Sequence, residues 1–144
     1  MTSTIQAEKA QNLIEDFELL TDWEDRYDYL IDMGKRLPPL PAEAHAEENL
    51  VRGCQSQVWV TAAARETPEG RVIDVFADSN STITKGIVGI LVHIYSGESP
   101  RDILDFDIDG LMTKLELDQQ LSPGRRNGLS GMVTRIKSLA ALTA

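Results

Sequence analysis

Cys54 is the only cysteine in this chain of 144 residues, and it lies in the stretch NLVRGCQSQVWV. A cysteine that merely fills a core belongs at an apolar position of a helix or strand, whereas this one follows Gly53 and precedes three polar side chains. Gly53 permits a tight turn. Arg52, two positions before the cysteine, favours the thiolate, which is the nucleophilic form. The pattern therefore predicts an accessible, reactive thiol on a loop.

The partners that common cysteine chemistry needs are scarce in this chain. A structural zinc site takes about four Cys or His ligands and a catalytic site about three, but His45 and His93 are the only histidines. A disulfide relay normally needs a resolving cysteine. We therefore expect no metal site. Three interpretations of Cys54 stay open: a small hydrolase with His45 or His93 as the general base, a structural thiol in an interaction module, and a thiol that accepts a group from one partner and passes it to another.

Length, composition and charge exclude several classes of protein. The length fits a single domain, residues 1–144, with its own core. The 14 basic and 23 acidic residues give a net charge of -9, which repels phosphate backbones, so we expect no nucleic-acid binding. The N-terminus lacks the apolar core of a signal peptide, and the segment ITKGIVGILVHIY is too short to span a bilayer. We expect a cytoplasmic protein without a membrane partner.

Hydrophobic periodicity predicts the secondary structure. Two amphipathic helices come first, with Ile5 on the apolar stripe of the first and Asp22 among the candidate caps of the second. Two alternating runs around TPEG then predict an antiparallel hairpin, and a third strand at residues 79–82 is weakly signalled. A buried helix containing His93 follows, where a hydrogen-bonded core histidine is expected. Further helices are expected to begin at the Ser-Pro pairs at residues 99–100 and 122–123, with Ser99 and Ser122 at their starts. This order predicts an α+β domain with a sheet of two to three strands packed on helices.

The stretch GCQSQVW resembles the signature of the SufE-type sulfur acceptors, which assist cysteine desulfurases in iron–sulfur cluster assembly. Other blocks of the chain are similar to that family in the same order, namely WEDRYDYLIDMGKRLPPLP, DSNSTITKGIVGILVHIYSG, SPRDILDFD and LSPGRRNGL. The resemblance implies an α+β fold shared with the NifU-like cluster scaffolds. Those scaffolds carry several cysteines, and with Cys54 alone we expect no cluster assembly on this chain.

The resemblance also implies the roles of individual residues. Cys54 would take sulfur as a persulfide from a desulfurase of the SufS or CsdA type, stimulate that enzyme and pass the sulfur to an iron–sulfur scaffold. Pyridoxal phosphate would belong to the desulfurase, so no cofactor is expected here. A homodimer stays open. The residues expected to shape the acceptor loop are Gly53, Gln55, Ser56 and Gln57.

We also expect particular roles for several charged and polar residues outside the loop. Arg125 matches a family arginine of the active-site or partner face, and a cation in the first turn of a helix opposes the macrodipole, which favours a functional reason for it. Arg135 and Lys137 lie later in the same helix, where the dipole favours cations. Asp78 and Asn80 precede the buried helix, and we expect them to cap it.

Overall fold

The structure is a computed structural model that describes residues 3–51 and 56–143. Within these ranges the chain forms seven α-helices, two short 3-10 helices and two β-strands, which confirms the α+β class. In chain order the elements are α1 (Thr4–Leu19), α2 (Trp23–Lys35), the 3-10 helices Ala42–Ala44 and Glu47–Asn49, β1 (Val58–Thr67), β2 (Gly70–Ser79), α3 (Thr82–Tyr95), α4 (Pro100–Asp105), α5 (Ile108–Lys114), α6 (Leu117–Gln120) and α7 (Pro123–Thr143).

Strands β1 and β2 form the predicted antiparallel hairpin. Val58 pairs with Ser79 at one end and Thr67 with Gly70 at the other, where Gly70 has the positive φ of 124° that the turn requires. The sheet of the described residues has two strands, within the predicted two to three, and the weakly signalled third strand at residues 79–82 does not form there. The Ser81 side chain accepts a hydrogen bond from the Thr84 N–H and starts α3 there.

The outer edge of β2 is covered by the chain that follows α3. The Ile73 N–H donates to the Glu98 carbonyl at 2.9 Å, and the Gly97 N–H donates to the Ile73 carbonyl at 2.7 Å. The Val75 N–H donates to Ser96 Oγ at 2.9 Å. Gly97 has a φ of 83°, which allows the sharp exit from α3. The backbone of β2 thus finds partners on this side without another strand.

Helix α3 is the most buried helix, and it lies unusually close to α2. A Cβ atom at Gly86 would stand 2.3 Å from the Leu30 carbonyl oxygen, and one at Gly89 would stand 2.6 Å from the Met33 carbonyl oxygen. Both distances are far below van der Waals contact, so only glycine permits this approach. On its other sides α3 packs against β2, α1 and α7. No helix in the described ranges is long and apolar enough to cross a membrane.

The first turn of α1 departs from the predicted stripe. Ile5, predicted to face inward, is 62% exposed, whereas the neighbouring Gln6 is fully buried. The Gln6 amide nitrogen donates to the Ile94 carbonyl at 3.3 Å. The Ser3 side chain caps the helix and also donates to the buried Glu98 carboxylate. Polar contacts therefore orient this turn, and the placement of Ile5 predicted from hydrophobicity is wrong.

The α2–α3 contact leads to a stability prediction. We expect Gly86→Ala to lower the free energy of unfolding by about 1–3 kcal/mol, because the added methyl group must push the two backbones apart. Chemical denaturation monitored by circular dichroism measures the change. Thr82→Ala, at an exposed position of the same helix, is the matched control. Equal stability of Gly86→Ala and wild type would contradict the close contact.

Candidate functional site

Three predicted loop residues, Gly53, Cys54 and Gln55, lie outside the described residues. The structure does describe Ser56 and Gln57, the other two predicted members of the loop, as well as the chain on either side. Cys54 is two positions before Ser56 in the sequence. The surroundings of Ser56 and Gln57 are therefore the described neighbourhood of the predicted sulfur acceptor.

Backbone contacts join the chain just before the predicted loop to the start of the hairpin just after it. The Val51 N–H donates to the Val58 carbonyl at 2.8 Å, and Leu50 forms an antiparallel bridge with Trp59. Val51 and Val58 are both buried. Residues 52–57 therefore connect two points that are hydrogen-bonded to each other, and the ends of the loop have fixed positions.

Gln57 and Asn80 are locked together by reciprocal hydrogen bonds. The Gln57 N–H donates to Asn80 Oδ1 at 3.0 Å, and Asn80 Nδ2 donates to Gln57 Oε1 at 3.2 Å. The Gln57 carbonyl also accepts from the Asn80 N–H at 3.2 Å and from Ser79 Oγ at 2.8 Å. Gln57 thus holds the loop end against the end of β2. The prediction that Asn80 caps α3 is wrong, because Ser81 does so.

Ser56 and Arg125 meet at one small pocket although they are far apart in the sequence. The pocket has space for about one water molecule. Helix α3 contributes two lining residues, the first half of α7 contributes four, and Ser56 completes the lining. The lining residues are Ser56, Thr84, Ile87, Gly124, Arg125, Gly128 and Met132. The fold therefore brings together a residue of the predicted loop and the predicted partner-binding arginine.

Arg125 lies in the first turn of α7 with an exposed side chain. Its backbone N–H donates to Ser122 Oγ at 3.3 Å, so Ser122 caps the helix as predicted. Arg135, two to three turns later, has a different role from the one that the helix dipole predicts. Its Nε donates to the Val60 carbonyl at 3.1 Å, and its Nη2 donates to Asn49 Oδ1 at 3.3 Å. Arg135 thereby ties α7 to β1 and to the chain before the loop.

Asp78 is the centre of a polar cluster that the sequence did not predict. One carboxylate oxygen accepts from His45 Nε2 at 2.8 Å, and the other lies 3.2 Å from Lys85 Nζ and accepts from the Ser79 N–H at 2.8 Å. Burial by itself would raise the pKa of Asp78, but the bonds from His45, Ser79 and Lys85 outweigh it and lower that pKa. Asp78 is therefore an ionised link between elements, and its predicted role as the cap of α3 is wrong.

One signal in the sequence could have revealed part of this cluster. The TPEG turn fixes the register of the hairpin. Counting the same number of residues away from the turn along each strand sets Asp78 opposite Trp59. The contribution of His45 has no such signal, because it depends on how the two 3-10 helices fold over β2.

The contacts of His45 count against its use as a general base. Both ring nitrogens of His45 face acceptors, the Asp78 carboxylate and, at 3.1 Å, the Pro41 carbonyl. A general base needs a free lone pair at a ring nitrogen, which this arrangement does not leave. The described residues contain no group of three His, Cys, Asp or Glu side chains that could hold a metal ion.

His93 is exposed on α3, so the expectation of a buried core histidine is wrong. It lines a groove with Arg36 and apolar residues of α2 and α3. Partial burial of the ring lowers the pKa of His93, and the nearby Lys9 and Arg36 lower it further. His93 lies nine residues after Thr84, which is one of the residues that line the Ser56 pocket. This spacing corresponds to about 13 Å along the helix axis. This histidine is therefore remote from the candidate site.

Comparison with known proteins agrees with the resemblance seen in the sequence. Residues 11–140 match the family described as SufE: Fe-S metabolism associated domain. The chain belongs to the SufE family. An uncharacterized SufE-like protein of Rhizobium etli is 41% identical over 132 residues, covering 92% of this chain and 89% of that protein. Another, from Rhizobium meliloti, is 40% identical over 128 residues, covering 89% of this chain and 91% of that protein.

A solved structure shares the fold of this SufE-family chain. It is the solution structure of a hypothetical protein from Thermus thermophilus, with a TM-score of 0.73 over 94% of this chain and 97% of that chain. The two sequences are 24% identical, so the likeness supports the architecture alone. Val58 and Trp59, the last two residues of the stretch GCQSQVW, form the start of β1 in this fold.

The two histidines of this SufE-family protein should titrate on opposite sides of their ordinary pKa of 6.5. The hydrogen bond to Asp78 raises the pKa of His45, whereas burial lowers that of His93. Proton NMR of the two imidazole rings across pH measures both values. Asp78→Asn should move the His45 midpoint down towards 6.5 and leave that of His93 in place. Two coincident midpoints in the wild type would contradict the contacts described above.

Proposed function

We propose that this chain is a sulfur acceptor, which takes sulfur from a cysteine desulfurase onto Cys54 and passes it to an iron–sulfur cluster scaffold. The observation that carries the proposal is the pocket shared by Ser56 and Arg125. Ser56, two positions after Cys54, and the exposed Arg125 both line this pocket, which supports a thiol that a partner protein can reach near a cation. Membership of the SufE family supports a role in Fe–S metabolism.

The proposed reaction is an exchange at sulfur between two proteins. The Cys54 thiolate attacks the outer sulfur of a persulfide on the desulfurase cysteine, and a new S–S bond forms as the original S–S bond breaks. The desulfurase cysteine leaves as its thiolate, and the outer sulfur remains on Cys54 as a persulfide. No net oxidation occurs. The rate of such an exchange depends on the thiolate fraction and on access to the attacking sulfur.

The described neighbours of the loop support this role. The Gln57–Asn80 lock and the Val51–Val58 hydrogen bond hold both loop ends, so little chain entropy would be lost at the base of the loop when a partner docks. Arg125, exposed at the start of α7, would supply a cation to an acidic group of the desulfurase. Sulfur acceptance needs no general base on this chain. The engagement of both His45 nitrogens therefore counts against the hydrolase alternative and not against this one.

The partner in this proposal is a desulfurase of the SufS or CsdA type, which would carry the pyridoxal phosphate. The present chain, acting as one domain over residues 1–144, would stimulate that enzyme by removing its persulfide sulfur. We place the reaction in the cytoplasm, because thiols stay reduced there and the single thiol of this chain must be free to react.

Sulfur loading tests the acceptor residue directly. The chain is incubated with a SufS- or CsdA-type desulfurase, pyridoxal phosphate and L-cysteine, and intact mass spectrometry without reductant follows the product. We expect one added sulfur on the wild type and none on Cys54→Ser. Circular dichroism of Cys54→Ser must match the wild type, because a variant that unfolds would favour the structural interpretation of Cys54. An active desulfurase that leaves the wild type unlabelled would refute the proposal.

Arg125→Ala tests the partner-binding role. We expect the kcat/KM of sulfur loading to fall about fivefold or more, as for truncation of an interface arginine that contributes to binding. Most of the loss should appear in KM, because Arg125 is proposed to bind the partner rather than to touch the reacting sulfur. Arg101→Ala is the matched control, since Arg101 is an exposed arginine whose side chain pairs with Asp105 of its own helix. Equal losses in the two variants would mean a general charge effect.

A further inference from the structure

His45 is attached to the protein through both of its ring nitrogens. Nδ1 lies 3.1 Å from the Pro41 carbonyl oxygen and Nε2 lies 2.8 Å from an Asp78 carboxylate oxygen. A carbonyl and an ionised carboxylate can only accept hydrogen bonds, so both nitrogens must donate. The neutral imidazole carries one N–H and the imidazolium carries two. Both contacts can be hydrogen bonds at the same time only when the ring is protonated.

His45 lies in the part of the chain that leads directly into the loop, residues 41–51, which we name the approach segment. This segment includes the two 3-10 helices and is held to the rest of the protein by side-chain and backbone hydrogen bonds. Asn49 accepts from Arg135 of α7, and Val51 donates to Val58 of β1. His45 supplies the attachment to β2, through Asp78. Loss of that attachment would leave the approach segment without its contact to β2.

The groups packed around His45 come from three elements. Asp78 of β2 is its charged partner, and Lys85 of α3 lies against the other oxygen of the same carboxylate. Trp59 of β1 and the imidazole form a T-shaped pair, with 4.7 Å between the ring centroids. Trp59 pairs with Asp78 across the hairpin and bridges to Leu50. The same residues thus hold both His45 and the base of the loop.

We propose that His45 is a positioning residue, which in its protonated form fixes the approach segment and thereby the start of the loop that carries Cys54. When the ring loses a proton, one of its two hydrogen bonds must be lost, and Lys85 remains to pair with Asp78. The effect on the approach segment stands by itself. The effect on sulfur transfer rests on the function proposed above.

The sign of the pH dependence follows from the hydrogen bond to Asp78, which raises the pKa of His45 above 6.5. A group with a raised pKa in the folded state stabilises the structure fully below its unfolded pKa and loses that contribution as the pH rises through its folded pKa. The approach segment is therefore held at and below pH 6.5 and loosens above the His45 midpoint.

Hydrogen exchange at the Val51 amide tests the structural effect. Its protection factor, the ratio of intrinsic to observed exchange rate, removes the ordinary pH dependence of exchange. In the wild type we expect this factor to fall about two- to fivefold across the His45 midpoint, the range of exposed ion pairs. His45→Arg keeps its charge and should keep the protection, and His45→Gln should be weakly protected throughout. His93→Gln is the matched control and should behave as the wild type.

The second experiment measures sulfur loading at a series of pH values. At each pH, the kcat/KM of the wild type is divided by that of His45→Arg. The ratio cancels the pH dependence of the Cys54 thiol and of the desulfurase. We expect it to be constant below the His45 midpoint and to fall about two- to fivefold above it. A His45 midpoint at or below 6.5, or a Val51 protection factor that does not change across that midpoint, would overturn the proposal, and a flat ratio would overturn its extension to sulfur transfer. If no variant accepts sulfur, the proposed function fails, and the protection of Val51 still decides whether His45 positions the segment.

Discussion

The close approach of α2 and α3 determines where the candidate site can form. Because Gly86 and Gly89 have no side chains, the two backbones meet, and the depth of α3 in the protein is set by main-chain contact. The first turns of α3 carry Thr84, Lys85 and Ile87 to the loop region. A displaced α3 would move one wall of the Ser56 pocket and a cation of the Asp78 cluster together. The packing of the core therefore also sets the geometry of the candidate site.

Polar contacts position a part of the chain that the apolar core does not. The apolar core fixes the helices and the hairpin, but the chain between Pro41 and Val51 contributes few buried side chains of its own, and it is placed by His45, Asn49 and the Val51 N–H. Of these contacts, the one between His45 and Asp78 is weak on its own and depends on charge, whereas apolar packing does not depend on charge. This division lets the surroundings of the loop respond to pH while the domain beneath stays intact.

The sequence predicted local features well and long-range polar contacts poorly. The hairpin, the capping residues Asp22 and Ser99 and the family motif all rest on neighbouring residues, whose preferences act locally. The pairing of Asp78 with His45 joins distant segments, which no periodicity encodes. A hydrophobic stripe gives the period of a helix but not the edges of its buried face, so a residue at the stripe margin can point either way. The errors at Ile5 and His93 have this origin.

A sheet of two strands has two open edges, and the chain itself occupies part of each. Ser96, Gly97 and Glu98 satisfy backbone groups of β2. On β1, the Val58 and Val60 carbonyls are taken by the Val51 N–H and the Arg135 guanidinium. At these positions a strand from another molecule finds no free backbone to pair with, which guards against edge-to-edge aggregation. Recognition at this end of the hairpin must then proceed through side chains, which distinguish one partner from another, whereas backbone pairing would accept any extended chain.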